Sequence, residues 1–168
     1  MENVGLVTFT EDYLKRGSEL SPKDRKDMAN TNLHELAHHW FGNLVTMKWW
    51  SDLWLNESFA TFVSFIVQTS SDELAYFTNS WIGLTRRKFG GIKADGFSST
   101  HPVRNDIKSL AESEAIFNGI SYGKGAAFLK QAVKVMGKDN FSEALKVYFK
   151  RYKWQNAEYS DFISTLKE

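Results

Sequence analysis

The sequence predicts a mainly α-helical domain with a small, incomplete β-sheet at its N-terminus, an α+β remnant. Three observations carry that expectation. Helix start signals recur along the chain, the clearest being Ser21-Pro22-Lys23-Asp24, with Ser at the N-cap, Pro at the first helical position and an acid in the first turn. The stretch from Leu53 to Val67 is apolar on most faces, the mark of a helix surrounded by others. Only Leu6 to Thr10 alternates in the manner of a strand.

Taken in order, that strand is followed by a polar connection over Glu11 to Leu20. The first helix should run from Pro22 to Phe41 and stop at Gly42, a residue suited to a left-handed terminator. Its apolar face reads Leu33, Leu36, Ala37, Trp40 and Phe41. Leu44 to Trp50 reads as an extended or turn segment. Ser51-Asp52 caps a central helix over about Asp52 to Gln68, and Ser70-Ser71-Asp72 begins a third, ended near Lys88 by Gly90-Gly91. Gly91 to Asp106 reads as loop, and a short helix is expected over Ile107 to Ala115. Glycines at 119, 123 and 125 lead into a helix from about Tyr122 to Met136. Asn140-Phe141-Ser142-Glu143 opens another, and Ser160-Asp161 a last one. A lone strand has no independent stability, so its partners are expected among residues 44 to 50 and 91 to 105 or outside the chain.

At 168 residues the chain is expected to form one domain with a real core. With 21 basic against 20 acidic residues, the charge balance gives no support to a nucleic acid or an anionic membrane as partner. The longest apolar stretch, Phe62 to Val67, is interrupted by Ser64 and is far too short for a membrane span. The chain opens Met1-Glu2-Asn3, without the features of a secretory signal. The absence of cysteine fits a reducing compartment such as the cytoplasm. Compartment is otherwise not written in the sequence.

Chemistry concentrates at His34-Glu35-Leu36-Ala37-His38. Histidines four apart on a helix share one face, which places two imidazoles where both can ligate a tetrahedral Zn²⁺. Glu35, one step round the helix, is then placed to act on the metal's water. A catalytic zinc needs a third protein ligand. Eighteen residues separate His38 from Glu57, which lies inside an apolar run where a lone carboxylate is costly to bury. Two readings stand: Glu57 on a solvated stripe, or Glu57 as the third ligand, which the neighbouring motif favours. His39 lies off the ligand stripe and reads as a packing residue, as does His101 before Pro102. Tyr122, read from its surroundings alone, is a core aromatic.

Several motifs together resemble the catalytic region of zinc aminopeptidases of the aminopeptidase N and puromycin-sensitive type, members of the gluzincin metallopeptidases. They are His34 to Asn43, Leu44 to Trp50, Leu53 to Ala60, Met1-Glu2-Asn3 as the end of an exopeptidase motif, and Phe117 to Ala126 as a catalytic-tyrosine segment. The resemblance covers nearly all of the chain. It implies a thermolysin-like fold, one Zn²⁺ held by His34, His38 and Glu57, and Glu35 as general base. It further implies that Tyr122 donates to the oxyanion, and that Met1, Glu2 and Asn3 bind substrate, Glu2 pairing with its α-ammonium. The substrates would be peptides with a free N-terminus.

Three departures stand out. Ser58 and Asn118 occupy positions where the family has Gly and Asp, and the family's preceding β-rich and following helical domains lie outside these 168 residues. The flanking domains would then complete the substrate-amine site. Two alternatives remain: a zinc-binding module without turnover, and the related epoxide-hydrolase type of bifunctional enzyme.

Overall fold

The computed structural model describes residues 1–14, 20–70 and 79–168. Helix α1 (Pro22–Ala37) starts as its sequence dictates. The Ser21 hydroxyl accepts from the Asp24 amide at 3.1 Å, and the Asp24 carboxylate accepts from the Ser21 amide at 3.0 Å. It ends four residues before Phe41. The amides of His39 and Trp40 donate three residues back, to Leu36 and Ala37, so the chain tightens into a turn. Gly42, at φ +130°, then redirects it. Of the expected apolar face, Ala37 and Phe41 are buried, while Leu36 and Trp40 remain about half exposed. The reason is that α1 faces the core with the His34, Ala37 and His38 stripe, and its Asn30 amide donates to Ser64 of the next helix.

Strand β1 (Val45–Met47) follows, and pairs in parallel with β2 (Gln155–Ala157), Val45 opposite Gln155. This is the whole sheet among the described residues. The expected N-terminal strand, Leu6 to Thr10, does not form, so the sheet is not at the N-terminus. Gly5, at φ +81°, sits in a turn, the Thr8 backbone exchanges hydrogen bonds with Met1, and Leu6 is exposed. Alternation alone gives no strand without an edge to pair with.

A single 3-10 turn (Trp50–Asp52) delivers the chain into α2 (Leu53–Ser70), which is buried on most of its circumference. Asp52 anchors that entry. Its buried carboxylate accepts from Arg104 Nε and from the Tyr159 amide, each at 3.1 Å. The expected helix start at Asp72 lies outside the described residues. Helix α3 (Ser80–Asp95) passes straight through Gly90-Gly91, where a terminator was expected. Those glycines answer to packing instead: a Cβ on Gly91 would lie 2.8 Å from the Gly119 carbonyl, and one on Gly123 would overlap the Arg87 carbonyl. The backbone of α3 therefore touches the backbone of the tyrosine-bearing segment.

The remaining helices are α4 (Leu110–Ala115), a π turn (Ile120–Lys124), α5 (Gly125–Met136), α6 (Lys138–Tyr152) and α7 (Tyr159–Leu166). The core is aromatic. Phe59 of α2 stacks on Phe41 at 4.1 Å between ring centres and meets Phe162 of α7 edge-on at 5.1 Å. That stack clamps the turn after α1 and helix α7 onto the two sides of α2. No helix of the described residues is long and apolar enough to cross a membrane.

Candidate metal centre

Helical periodicity puts His34 and His38 on the same face of α1, and packing lays that face across the first turns of α2, where Glu57 is buried. The three donor atoms converge. His34 Nε2 and His38 Nε2 lie 3.0 Å apart, and Glu57 Oε2 lies 3.2 Å from the first and 3.5 Å from the second. A tetrahedral zinc with bonds of roughly 2.0–2.1 Å separates its ligand atoms by about 3.4 Å. The cluster fits such an ion, with one side open to a cavity.

Both candidate histidine ligands have polar partners behind them. His38 Nδ1 faces two acceptors, Asn56 Oδ1 at 2.7 Å and the Phe41 carbonyl at 3.0 Å. It therefore carries the proton, and Nε2 keeps its lone pair for a metal. Thr61 Oγ1 stands 3.5 Å from His34 Nδ1. Glycine at 42 matters here a second time, because a Cβ there would overlap Asn56 Oδ1. Asn56 and Gly42 were not legible as site residues. Asn56 directly precedes Glu57 in the chain, but its contact with His38 exists only once two helices cross.

The electrostatics are those of a site built for a cation. Burial alone would raise the Glu57 carboxyl, but its hydrogen bonds to His34 and His38 and their charges outweigh it and hold Glu57 at about 2. Burial likewise works against a charge on His38, yet the hydrogen bond and charge of Glu57 raise it to about 9. Burial first, then the Glu57 carboxylate beside it, push the Tyr122 phenol far above its ordinary range.

Glu35 borders the same cavity, of about 430 Å³. Its buried Oε2 forms an ion pair with the Met1 amino group at 3.2 Å, and that amino group also donates to the Thr8 carbonyl at 3.1 Å. The carboxylate of Glu2 lies with those of Glu35 and His38's ring nitrogen inside a 4.8 Å cluster, its backbone held by the Asn43 amide at 2.9 Å. Met1 and Tyr122 also line the cavity, the Tyr122 ring stacked 6.0 Å from that of His34. Trp50, Leu53 and Phe117 form its apolar wall. Asn3 does not join them. Its side chain is exposed and donates to Thr8 Oγ1 at 3.1 Å. His39 packs with Nδ1 3.3 Å from the Glu35 carbonyl, and His101 meets Asn118 Nδ2 at 2.8 Å, both away from the metal cluster.

Two imidazoles and a carboxylate on crossed helices, with a second acid facing the open side, define a metallopeptidase-type centre. Comparison with known proteins is consistent with that class. The model of the peptidase family M1 domain matches residues 1–168, and the chain belongs to that family. It is 41% identical over 169 residues to Aminopeptidase M1-B of Oryza sativa subsp. japonica, covering all of this chain and 19% of the relative. It is similar at 41% to Aminopeptidase N of Streptomyces lividans (100% and 20%). It is similar at 40% to a leucyl aminopeptidase of Saccharolobus solfataricus (100% and 21%). The chain thus spans about a fifth of the length of these relatives.

Proposed function

We propose that this chain carries the catalytic centre of a zinc aminopeptidase, which hydrolyses the N-terminal peptide bond of peptides. The observation that carries the reading is the convergence of His34 Nε2, His38 Nε2 and Glu57 Oε2 within 3.0–3.5 Å of one another, in a cavity that also holds Glu35 and Glu2. His34, His38 and Glu57 hold one Zn²⁺, which when bound supplies Lewis acidity toward water and the scissile carbonyl.

The chain's own groups do the rest. Glu2 pairs with the substrate's α-ammonium and so limits cleavage to one residue from the end. Glu35, whose buried Oε2 borders the cavity and pairs with the Met1 amino group at 3.2 Å, accepts the proton of the attacking water and returns it to the leaving amine. Tyr122, whose phenol keeps its proton because burial and Glu57 push its titration up, donates a hydrogen bond to the oxyanion as charge develops there. Trp50, Leu53 and Phe117 offer an apolar surface to the first side chain.

The test is hydrolysis of one peptide in free and N-acetylated forms by zinc-loaded protein, beside Glu35→Gln and Glu2→Gln. Cleavage of the free form alone, abolished by Glu35→Gln and made indifferent to acetylation by Glu2→Gln, is the expected result. Equal cleavage of both forms by the unaltered protein would refute the role of Glu2. Zinc binding without turnover would refute the enzymatic reading in favour of a binding module.

A further inference from the structure

The turn that presents Tyr122 departs from the α-helix at one place. In an α register the Gly125 amide would donate to the Ser121 carbonyl, four residues back. In the π turn Ile120–Lys124 it reaches the Ile120 carbonyl, five back, and also that of Tyr122. The Ser121 carbonyl instead receives the hydroxyl of Ser58, a residue of α2. Ser58 and Ser121 are both fully buried, so no water substitutes for that donor. Ser58 has its place because residue 125 is glycine: a Cβ there would overlap Ser58 Oγ. Ser58 also directly follows Glu57. The helix turn that offers a carboxylate to the metal cluster thereby grips the turn that offers the phenol.

We propose that Ser58, with Gly125 clearing its place, is a positioning residue that holds the π register and so aims the Tyr122 hydroxyl into the metal cavity. The role of the aimed hydroxyl rests on the aminopeptidase reading above. Relaxation of the turn to an α register would rotate the segment ahead of α5, Tyr122 included, by about 100° relative to that helix. A ring carried through such a rotation no longer faces His34.

The test compares the unaltered protein, Ser58→Ala, Tyr122→Phe and the double variant. Turnover, zinc affinity and the NMR signal of ¹³Cζ-labelled tyrosine are followed, the Tyr122 signal being identified by its loss in Tyr122→Phe. Ser58→Ala should lower kcat about five- to tenfold, the worth of one buried hydrogen bond, with KM and zinc affinity unchanged. It should add nothing to Tyr122→Phe, and the displacement of the Tyr122 signal on zinc addition should shrink. An undiminished displacement in Ser58→Ala overturns the proposal, whether or not the protein turns over. So does a loss that multiplies with Tyr122→Phe, or a parallel fall in zinc affinity, which would place the effect at Glu57. If Tyr122→Phe leaves kcat intact, the oxyanion role of Tyr122 fails, while the NMR displacement still decides whether Ser58 sets the ring's position.

Discussion

Replacing Asn56 by alanine isolates the support of one proposed metal ligand from the ligand itself. Asn56 Oδ1 accepts from His38 Nδ1 at 2.7 Å, and the Phe41 carbonyl accepts from the same nitrogen at 3.0 Å. Loss of such an orienting partner typically costs 10–100-fold in metal affinity. Because the Phe41 carbonyl remains, the lower end is expected here: about tenfold weaker zinc binding, or about 1.4 kcal/mol. Competition against a chromophoric chelator at fixed pH measures it directly. Asn56→Asp is the control, since a carboxylate accepts the same proton and should keep zinc affinity at or above the starting value. Unchanged affinity in Asn56→Ala, or equal losses in both variants, would refute the claim that this acceptor sets the orientation and tautomer of His38.

Four further outcomes follow from the structure. With His38 raised to about 9 in the metal-free site, zinc must displace a proton, so apparent affinity should climb about tenfold per pH unit between pH 7 and 9 and level off above; affinity flat across that window refutes the pairing. In the metal-free fold, His38 stabilises fully below its ordinary 6.5 and loses this as pH rises through 9. Glu57 stabilises above its ordinary 4.5 and loses this as pH falls through 2. Urea midpoints of metal-free protein should therefore exceed those of Glu57→Gln most clearly between pH 4.5 and 6.5. Gly123→Ala forces a Cβ onto the Arg87 carbonyl and should cost about 1–3 kcal/mol in urea unfolding, whereas Gly90→Ala, which meets open space inside α3, should stabilise by up to about 1 kcal/mol. Phe59→Ala removes the ring between Phe41 and Phe162 and should cost about 3–5 kcal/mol; a loss below about 1 kcal/mol would mean that the aromatic stack does not clamp α7 to α2.

What the sequence by itself determined is whatever depends on local periodicity and capping. The start of α1 at Pro22 follows from the Ser21 and Asp24 caps, and the common face of His34 and His38 follows from 3.6 residues per turn. The burial of α2 was legible because its apolar residues lie on most faces, and the need for a partner at Glu57 because a carboxylate sat among them. Only the tertiary structure decided the features that depend on two segments meeting. The pairing of β1 with β2 joins residues more than a hundred apart, and the strand expected at Leu6 to Thr10 found no edge. Gly90-Gly91 looked like a helix end because glycine's freedom and its smallness leave the same mark in a sequence; the approach of Gly119 shows that smallness was the reason. The same holds for the centre. Residue types and spacing single out the candidate metal ligands, which the fold brings together, but the contacts of Asn56 with His38 and of Ser58 with Ser121 arise from how α1, α2 and the π turn cross, and no local pattern encodes a crossing.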